Sequence, residues 1–244
     1  MMITIESTPK ESCSSPFSSP LPPPVVVAIT GASGGILAFK LVYELLTTGY
    51  PVELILTEKG FQVTLEETGV KLGGGSSEDK ATRLLRHLAL PLETYLPMLE
   101  VFGNHQLDAS PASGTHLTTG MVIIPCSMGT LGRIAAGIGD NLTSRAADVT
   151  LKEGRKLILA VREAPLSAIH LENMLKLARI GVCVLPPMLT FYLPEYASSM
   201  EGQLAYTVGK VLDQLKVPHT LFTRWRTARD SNPLVSSKLA PPTV

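Results

Sequence analysis

The chain has 244 residues, of which 45% are hydrophobic and 5% aromatic, and its 21 basic residues balance its 21 acidic ones. This balance predicts no basic surface for nucleic acid or for an anionic membrane, and the few aromatic residues offer little surface for stacking on bases. The three cysteines are far apart in the sequence. Their number and spacing exclude a disulfide framework and a cysteine-rich zinc site, and they favour a reducing compartment, the cytoplasm.

Composition divides the chain into a central domain and two tails. Residues 1–24 are rich in Ser and Pro and predict a disordered tail. Residues 25–217 predict one domain, because short apolar runs alternate there with amphipathic ones, and residues 218–244 predict a second tail. No apolar run reaches the roughly 18 residues of a transmembrane helix, so we expect no membrane span.

Alternating strands and helices account for the central domain. The predicted strands cover residues 25–30, 52–57, 98–102, 121–125, 156–161 and 181–185. The predicted helices cover residues 35–47, 60–68, 77–88, 128–138, 142–152, 167–180 and 200–215. Continuously apolar strands between amphipathic helices predict an α/β fold with a single doubly wound parallel sheet and helices on both faces. Ligands of such sheets bind beyond the carboxyl ends of the strands, so we expect the site there.

Two glycine-containing turns follow strands at this edge. The first is TGASGG, residues 30–35, and the second is PCSMGT, residues 125–130. Glycine lets a backbone approach an anion closely, and the helix N-terminus after each turn offers N–H groups and a partial positive charge. The first turn therefore predicts a phosphate-bearing ligand, and a dinucleotide, a nucleoside triphosphate and a flavin mononucleotide all fit it. A GxxxxGK[ST] loop is absent, which excludes a P-loop nucleoside triphosphatase.

One alternative is a short-chain dehydrogenase that uses NAD(P). The TGASGG turn nearly matches the TGxxxGxG loop of that family, and Tyr206 and Lys210 form a YxxxK pair. However, Leu37 replaces the last glycine, and Tyr206 lies on a helix whose apolar face predicts a half-buried structural residue. The dehydrogenase is therefore a distant alternative.

Charged residues stand out in two places. Arg145, Asp148 and Lys152 share one face of a predicted helix, where they form either a solvated surface or a cationic clamp. Arg162 and Glu163 follow the fifth strand, at the edge where we expect the site. A carboxylate beside a bound anion suits proton transfer, and a carboxylate at a helix start also complements the helix dipole, so both interpretations of Glu163 stay open.

Five segments together resemble the flavin prenyltransferases, the UbiX-like proteins that were long described as decarboxylases. They are TGASG, PCSMGT, SRAADVTLKEGR, REAPLSAIHLENMLKL and the FY after the sixth strand, and the resemblance covers residues 25–217. It implies a flavodoxin-like fold and assembly into large homo-oligomers, typically dodecamers, with sites at subunit interfaces. It also implies that a dimethylallyl group is transferred from dimethylallyl monophosphate to N5 and C6 of reduced FMN. The prenylated FMN would serve a UbiD-type decarboxylase, as in ubiquinone biosynthesis.

The resemblance also implies roles for individual residues. The residues implied to contact FMN are Gly31, Ala32, Ser33, Thr57, Ser127, Met128, Gly129, Thr130 and Arg162. The residues implied to bind the prenyl phosphate are Arg145, Lys152, Tyr192 and Lys210. Glu163 and Ser33 are implied to move protons at the flavin edge, and Glu67 stands where the family has an acid near a neighbouring subunit's site. An Asp-rich magnesium motif is absent, so the cations, Lys152 among them, would neutralise the leaving phosphate without a metal.

Two further alternatives belong to the same flavoprotein superfamily. An FMN-dependent decarboxylase of cysteinyl substrates would carry a PASANT-like loop and a histidine after the second strand. This chain has PCSMGT and no histidine in residues 57–70, which disfavours it. A flavin-binding regulatory subunit would need no second phosphate clamp, so the presence of Arg145, Lys152, Glu163 and Tyr192 together disfavours that function.

Overall fold

A computed structural model of the chain describes residues 20–191 and 194–224. Its centre is a six-stranded parallel sheet with the strand order β3-β2-β1-β4-β5-β6. The strands are β1 (Val25–Ile29), β2 (Val52–Leu56), β3 (Leu99–Gly103), β4 (Gly120–Cys126), β5 (Lys156–Val161) and β6 (Cys183–Val184). The chain runs outward in one direction from β1 and in the other from β4, so the order reverses between these two neighbours. A reversal of this kind leaves a crevice beyond the carboxyl ends of the two strands, where such folds bind ligands.

Helices connect the strands and cover both faces of the sheet. They are α1 (Gly35–Thr47), α2 (Glu58–Thr68), α3 (Ser77–His87), α4 (Leu92–Tyr95), α5 (Met128–Ala136), α6 (Leu142–Lys152), α7 (Ala168–Arg179), α8 (Pro194–Ala197) and α9 (Met200–Leu215). All six predicted strands and all seven predicted helices are present, which confirms the predicted fold class. The short α4 and α8 were not predicted, because four residues are too few to show a helical period.

The sheet is buried on both faces, as its continuously apolar strands require. Val25, Val27 and Ile29 of β1 pack into one core, together with α1, α3 and α9. Val26 and Ala28 point to the other side, into a core shared with α5, α6 and α7. Two separate apolar layers therefore fix the sheet in register and hold the ends of its strands in place.

The described residues also bear on the two predicted tails. Residues 1–19 and 225–244 lie outside the described part of the chain. Residues 218–224, predicted as the start of a tail, instead pack on α9: His219 and Arg224 both contact Asp213, and Phe222 lies against Gly209. The boundary of the domain at residue 217 stays a prediction. Within the described residues, no helix is long and apolar enough to cross a membrane.

Candidate active site

A buried threonine joins the two turns that the sequence singles out. The hydroxyl of Thr30, at the end of β1, donates to the carbonyl of Pro125 at 2.8 Å, and it accepts the N–H of Ser127 at 2.8 Å. Thr30 is only 1% exposed, so both hydrogen bonds are shielded from water. The turns after β1 and β4 are thereby held side by side, as expected for two turns that serve one ligand.

The turn after β4 leaves a helix N-terminus open. Ser127 caps α5 by accepting the N–H of Thr130 at 3.4 Å, and the two hydroxyls lie 3.1 Å apart. The amides of Met128 and Gly129 donate to no acceptor in the described part of the chain, as is usual for the first turn of a helix. A Cβ placed on Gly129 would meet no atom within 4 Å. This turn can therefore donate hydrogen bonds to an anionic or carbonyl oxygen of a ligand.

The turn after β1 is already partly occupied by a side chain of the protein. Gly34 adopts a φ of +118°, and its N–H donates to the Glu67 carboxylate at 2.9 Å. The N–H of Gly35, the first residue of α1, donates to the same carboxylate at 2.8 Å. The prediction that this turn offers its helix N-terminus to a phosphate is therefore wrong for these two amides. The role of Glu67 at a neighbouring subunit's site stays a prediction.

A cavity of about 680 Å³ opens beyond the carboxyl ends of β1 to β4. Its volume falls within the range of roughly 300–1,000 Å³ typical of cofactor sites. Of the residues predicted to contact FMN, the cavity wall includes Gly31, Thr57, Ser127, Gly129 and Thr130. The cavity therefore brings together the larger part of the predicted flavin-binding set.

The cavity also contains basic side chains that no sequence motif indicated. Lys59 and Lys80 line it, as do His105 and Arg133, and Arg133 forms an ion pair with Asp140 at the same wall. These residues come from three helices and one loop, so no local sequence pattern connects them. Glu58 and Asp140 line the same cavity, so Lys59, Lys80 and Arg133 leave it with a small excess of positive charge, which favours an anionic ligand.

Tight packing explains two of the cavity residues. A Cβ on Gly31 would lie 2.7 Å from the Cβ of Lys59, so only glycine lets the start of α2 lie against this turn. The Thr57 hydroxyl accepts the N–H of Gly60 at 3.0 Å and donates to the Ile29 carbonyl at 3.1 Å. Thr57 therefore caps α2 and links the end of β2 to the end of β1, and its contact with FMN stays a prediction.

Arg162 and Glu163 follow β5 but do not line this cavity. The Arg162 N–H donates to the Cys126 carbonyl at 3.2 Å, which places the backbone beside the open turn of α5. Both side chains are exposed, and Glu163 accepts the N–H of Ala164. Their roles toward FMN and in proton transfer stay predictions.

The predicted phosphate-binding cations lie away from the cavity within one chain. Arg145 pairs with Asp148 at 3.0 Å on the outer face of α6, and Lys152, the last residue of α6, pairs with Glu153. Since α6 ends just before β5 begins, Lys152 lies at the amino edge of the sheet, opposite the cavity. Lys210 lies in the second half of α9, with its Nζ 3.9 Å from Asp213. Tyr192 lies outside the described residues.

Tyr206, the tyrosine of the YxxxK pair, has a structural environment. It is half-buried, and its ring lies 5.2 Å from the ring of Phe222. It does not line the cavity. The expectation that Tyr206 is a packed helix residue is confirmed, and the dehydrogenase alternative loses its catalytic pair.

An apolar surface is exposed around α7 and the loop that follows β6. Of the twelve residues of α7, all of them described, only Leu177 is buried. Ile169 is 68% exposed and Phe191 is 78% exposed, and further exposed large apolar side chains lie on α7, beside it or in the loop after β6: Leu166, Leu171, Leu175, Ile180, Met188 and Leu189. An apolar surface of this extent is typical of a protein interface.

The donor set of the cavity fits FMN. The open amides at Met128 and Gly129 and the surrounding lysines suit a phosphate or a carbonyl oxygen, and apolar walls such as Leu56 and Phe102 suit a ring. The buried thiol of Cys126 takes no part, because burial raises its pKa to about 12 and keeps it protonated.

Comparisons with known proteins agree with this geometry. The family model described as Flavoprotein matches residues 18–214. The flavin prenyltransferase UbiX of Halalkalibacterium halodurans is 44% identical over 84% of this chain and 95% of the relative. That of Alkalihalophilus pseudofirmus is 46% identical over 82% of this chain and 95% of the relative.

Two solved structures extend the likeness to three dimensions. AnUbiX (PadA1), solved in complex with FMN and dimethylallyl pyrophosphate, has a TM-score of 0.71 and 33% identity over 83% of this chain and 97% of its own. A dodecameric FMN-dependent UbiX-like decarboxylase from Escherichia coli O157:H7 has a TM-score of 0.69 and 36% identity over 82% of this chain and 98% of its own. The chain therefore belongs to the UbiX flavin prenyltransferase family.

Proposed function

We propose that this protein is a metal-independent flavin prenyltransferase that transfers a dimethylallyl group from dimethylallyl monophosphate to N5 and C6 of reduced FMN. The observation that carries the proposal is the open N-terminus of α5 at a cavity of about 680 Å³, in a member of the UbiX family. FMN, when bound, supplies the nucleophilic ring atoms of the reaction. The chain's own residues bind it, exclude water and neutralise the leaving phosphate.

The flavin end of the site lies in the cavity. The amides of Met128 and Gly129 and the hydroxyl of Thr130 would donate to flavin oxygens, supported by the dipole of α5. Gly31 places no side chain between the turn after β1 and Lys59, and Ala32 and Ser33 follow in the same turn. A flavin with its phosphate would also meet the lysines of the cavity wall, which favour its negative charge.

The phosphate end of the site needs a second copy of the chain. Arg145 and Lys152 stand on an outer face of α6, and neither side chain lines the cavity of its own chain. In an assembly, the cavity of one copy would face the cations of another. The exposed apolar surface around α7 supports such an assembly, as does the dodecameric relative from Escherichia coli O157:H7. Positive charge on Arg145, Lys152 and Lys210 would then stabilise the departing phosphate.

Assembly would also change the surroundings of Glu163. This carboxylate is exposed in one chain and stands three residues before Leu166, at the edge of the apolar surface. A second copy packed on that surface would exclude water from the reacting groups, which an allylic cation requires. Glu163 and Ser33 would then carry protons at the flavin edge.

The product would serve a UbiD-type decarboxylase. We place the reaction in the cytoplasm, because Cys126 and Cys183 are both free thiols, as expected in a reducing compartment. The proposed reaction requires no metal bound by the protein. Within the described residues, no three His, Cys, Asp or Glu side chains come together as metal ligands.

The proposal is tested anaerobically with purified protein, reduced FMN and dimethylallyl monophosphate. The mass of the released flavin should increase by one isoprene unit. Glu163→Gln and Lys152→Ala should slow the reaction while leaving FMN bound. A flavin that binds but is released with unchanged mass refutes the prenyltransferase and leaves a flavin-binding protein of another activity.

A further inference from the structure

Glu53 is a buried acid near the start of β2, at the opposite end of this strand from the cavity. It lies in β2 and is only 5% exposed. Its neighbours across the strands are Val26 on β1 and Glu100 on β3. Burying a carboxylate costs several kcal/mol unless it gains partners, and an apolar residue would fill such a position at lower cost. The contacts of Glu53 therefore require an explanation beyond stability.

Both partners of Glu53 belong to one loop, the crossover of residues 104–119 that joins β3 to β4. Ser110 donates its hydroxyl to Glu53 Oε1 at 2.7 Å. His116 Nε2 lies 2.8 Å from the same oxygen, although the two atoms are not aligned as a hydrogen bond. Burial and the charge of Glu53 raise the pKa of Glu100, the neighbouring acid on β3. One buried carboxylate thus holds two points of the same loop.

The outer side of this loop contacts the end of α6 and the residues that follow it, up to Arg155. Arg155 donates to the carbonyl of His116 at 2.7 Å and to that of Gly114 at 2.9 Å. A Cβ on Gly114 would lie 2.7 Å from Lys152 Nζ and 2.5 Å from Glu153 Oε1, so the loop lies directly against the Lys152 ammonium.

The same crossover also reaches the cavity. It starts at Asn104 and His105, which line the cavity, and the Asn104 side chain accepts the N–H of Thr143 near the start of α6. Apart from the short turn Ser110–Ala112 it has no regular structure in the described chain. Loops this long without regular structure are uncommon in compact domains and are often functional.

We propose that Glu53 and His116 are positioning residues that fix the crossover, and through it the Lys152 ammonium, for binding of the prenyl phosphate. The inference rests on the proposed function, in which Lys152 binds that phosphate. Glu53 contacts neither substrate. It acts through Ser110 and His116 on the loop that lies against Lys152.

The test compares Glu53→Gln, Glu53→Leu and the matched control Glu100→Gln. Gln keeps an acceptor for Ser110 but removes the charge that faces His116, and Leu removes both. The KM for dimethylallyl monophosphate should rise about tenfold for Gln and up to about a hundredfold for Leu, with kcat and FMN affinity little changed, because a displaced cation weakens substrate positioning. Glu100→Gln neutralises the neighbouring acid, which senses the charge of His116 but forms no hydrogen bond or salt bridge with the loop, and it should keep the KM of the unaltered protein.

Two readouts independent of turnover accompany the kinetics. Amide hydrogen exchange in residues 108–118 should accelerate in Glu53→Leu and not in Glu100→Gln. Calorimetry should show weaker binding of dimethylallyl monophosphate to the FMN-loaded Glu53→Leu protein. Should Glu53→Leu fail to fold, Glu53→Gln and Ser110→Ala carry the same comparison.

The outcomes separate this inference from the proposed function. If prenyl transfer is observed and the Glu53 variants keep both the KM and the exchange rates of the unaltered protein, the positioning role is overturned and the prenyltransferase stands. If the unaltered protein transfers no prenyl group, the proposed function falls. In that case calorimetry still decides the positioning role. The role is overturned if the unaltered protein and Glu53→Leu bind dimethylallyl monophosphate with equal affinity, or if the unaltered protein does not bind it.

Discussion

Replacing Thr30 by Val should separate the two turns at the cavity. Valine has nearly the same shape, but it removes the hydrogen bond to the Pro125 carbonyl and leaves the Ser127 N–H without its acceptor. The first loss costs about 1 kcal/mol, and the unpaired amide costs about 1–3 kcal/mol, so we expect a loss of about 2–4 kcal/mol in the free energy of unfolding. In a domain of this size that corresponds to about 5–15 °C in melting temperature.

Thr150→Val is the matched control for this substitution. Thr150 is also a buried threonine, but its hydroxyl donates to the Ala146 carbonyl of its own helix at 2.7 Å, so its loss leaves no backbone group unpaired. We expect its cost to stay below about 1 kcal/mol. Urea unfolding at one fixed protein concentration measures both variants, and flavin fluorescence measures FMN affinity. Equal destabilisation by the two variants, with FMN affinity unchanged in Thr30→Val, would contradict the view that Thr30 joins the turns.

Three further predictions concern the cavity, the apolar surface and the buried thiol. Gly31→Ala should lower the free energy of unfolding by about 1–3 kcal/mol, because the added Cβ meets Lys59. Gly129→Ala should leave that free energy unchanged and weaken FMN binding, because its Cβ enters the open turn. Urea unfolding measures the first effect and flavin fluorescence the second. Ile169→Asp on the exposed face of α7 should lower the molar mass measured by light scattering, and an unchanged mass would exclude this face from the assembly. Burial raises the pKa of Cys126 from 9.0 to about 12, so the proton is bound more tightly in the folded state and stability should fall as pH rises from about 9 to 12. Cys126→Ala should lack this part of the pH dependence, and a parallel decline in both proteins would refute its assignment to Cys126.

The sequence predicts the secondary structure well because local signals mark it. The bounds of α6 and α9 are correct as predicted, since Asn141 and Ser199 cap them and their apolar faces repeat with the helical period. The contacts at the site depend on residues distant in sequence. Thr30 meets Pro125 and Ser127 across two strands, and no local pattern shows that pairing.

The carboxylate that binds to the turn after β1 could not be predicted from the sequence either. Glycine spacing correctly predicts a helix N-terminus after β1, but it does not show that Glu67 of α2 folds back onto the amides of Gly34 and Gly35. A carboxylate of the protein can accept hydrogen bonds at a helix N-terminus, and so can a phosphate of a ligand. The glycine pattern thus shows that an anion binds and leaves open whether that anion belongs to the protein.

The distribution of cations follows from the direction of the helices. In a parallel sheet each connecting helix runs back antiparallel to the strands, so its N-terminus faces the ligand edge and its C-terminus faces away. Lys152 ends α6, where a cation complements the helix dipole, and the helix carries it about 16 Å from the cavity edge. The i, i+3, i+7 spacing predicts that Arg145, Asp148 and Lys152 share one face of α6. It does not show at which edge of the sheet Lys152 lies, because that depends on its position at the C-terminal end of the helix.

This geometry gives a physical reason for a shared site in the proposed reaction. Helix N-termini such as that of α5 bind an anion through uncharged amides, and they lie where the flavin would bind. The cations implied to bind the departing phosphate are different ones, and within one chain Lys152 and Lys210 stand at the other edge of the sheet or near it. A second copy can present that edge to the cavity without any change of fold, and the exposed apolar side chains around α7 offer the surface on which it would pack. Disruption of the assembly should therefore abolish prenyl transfer while each separated chain keeps its flavin cavity.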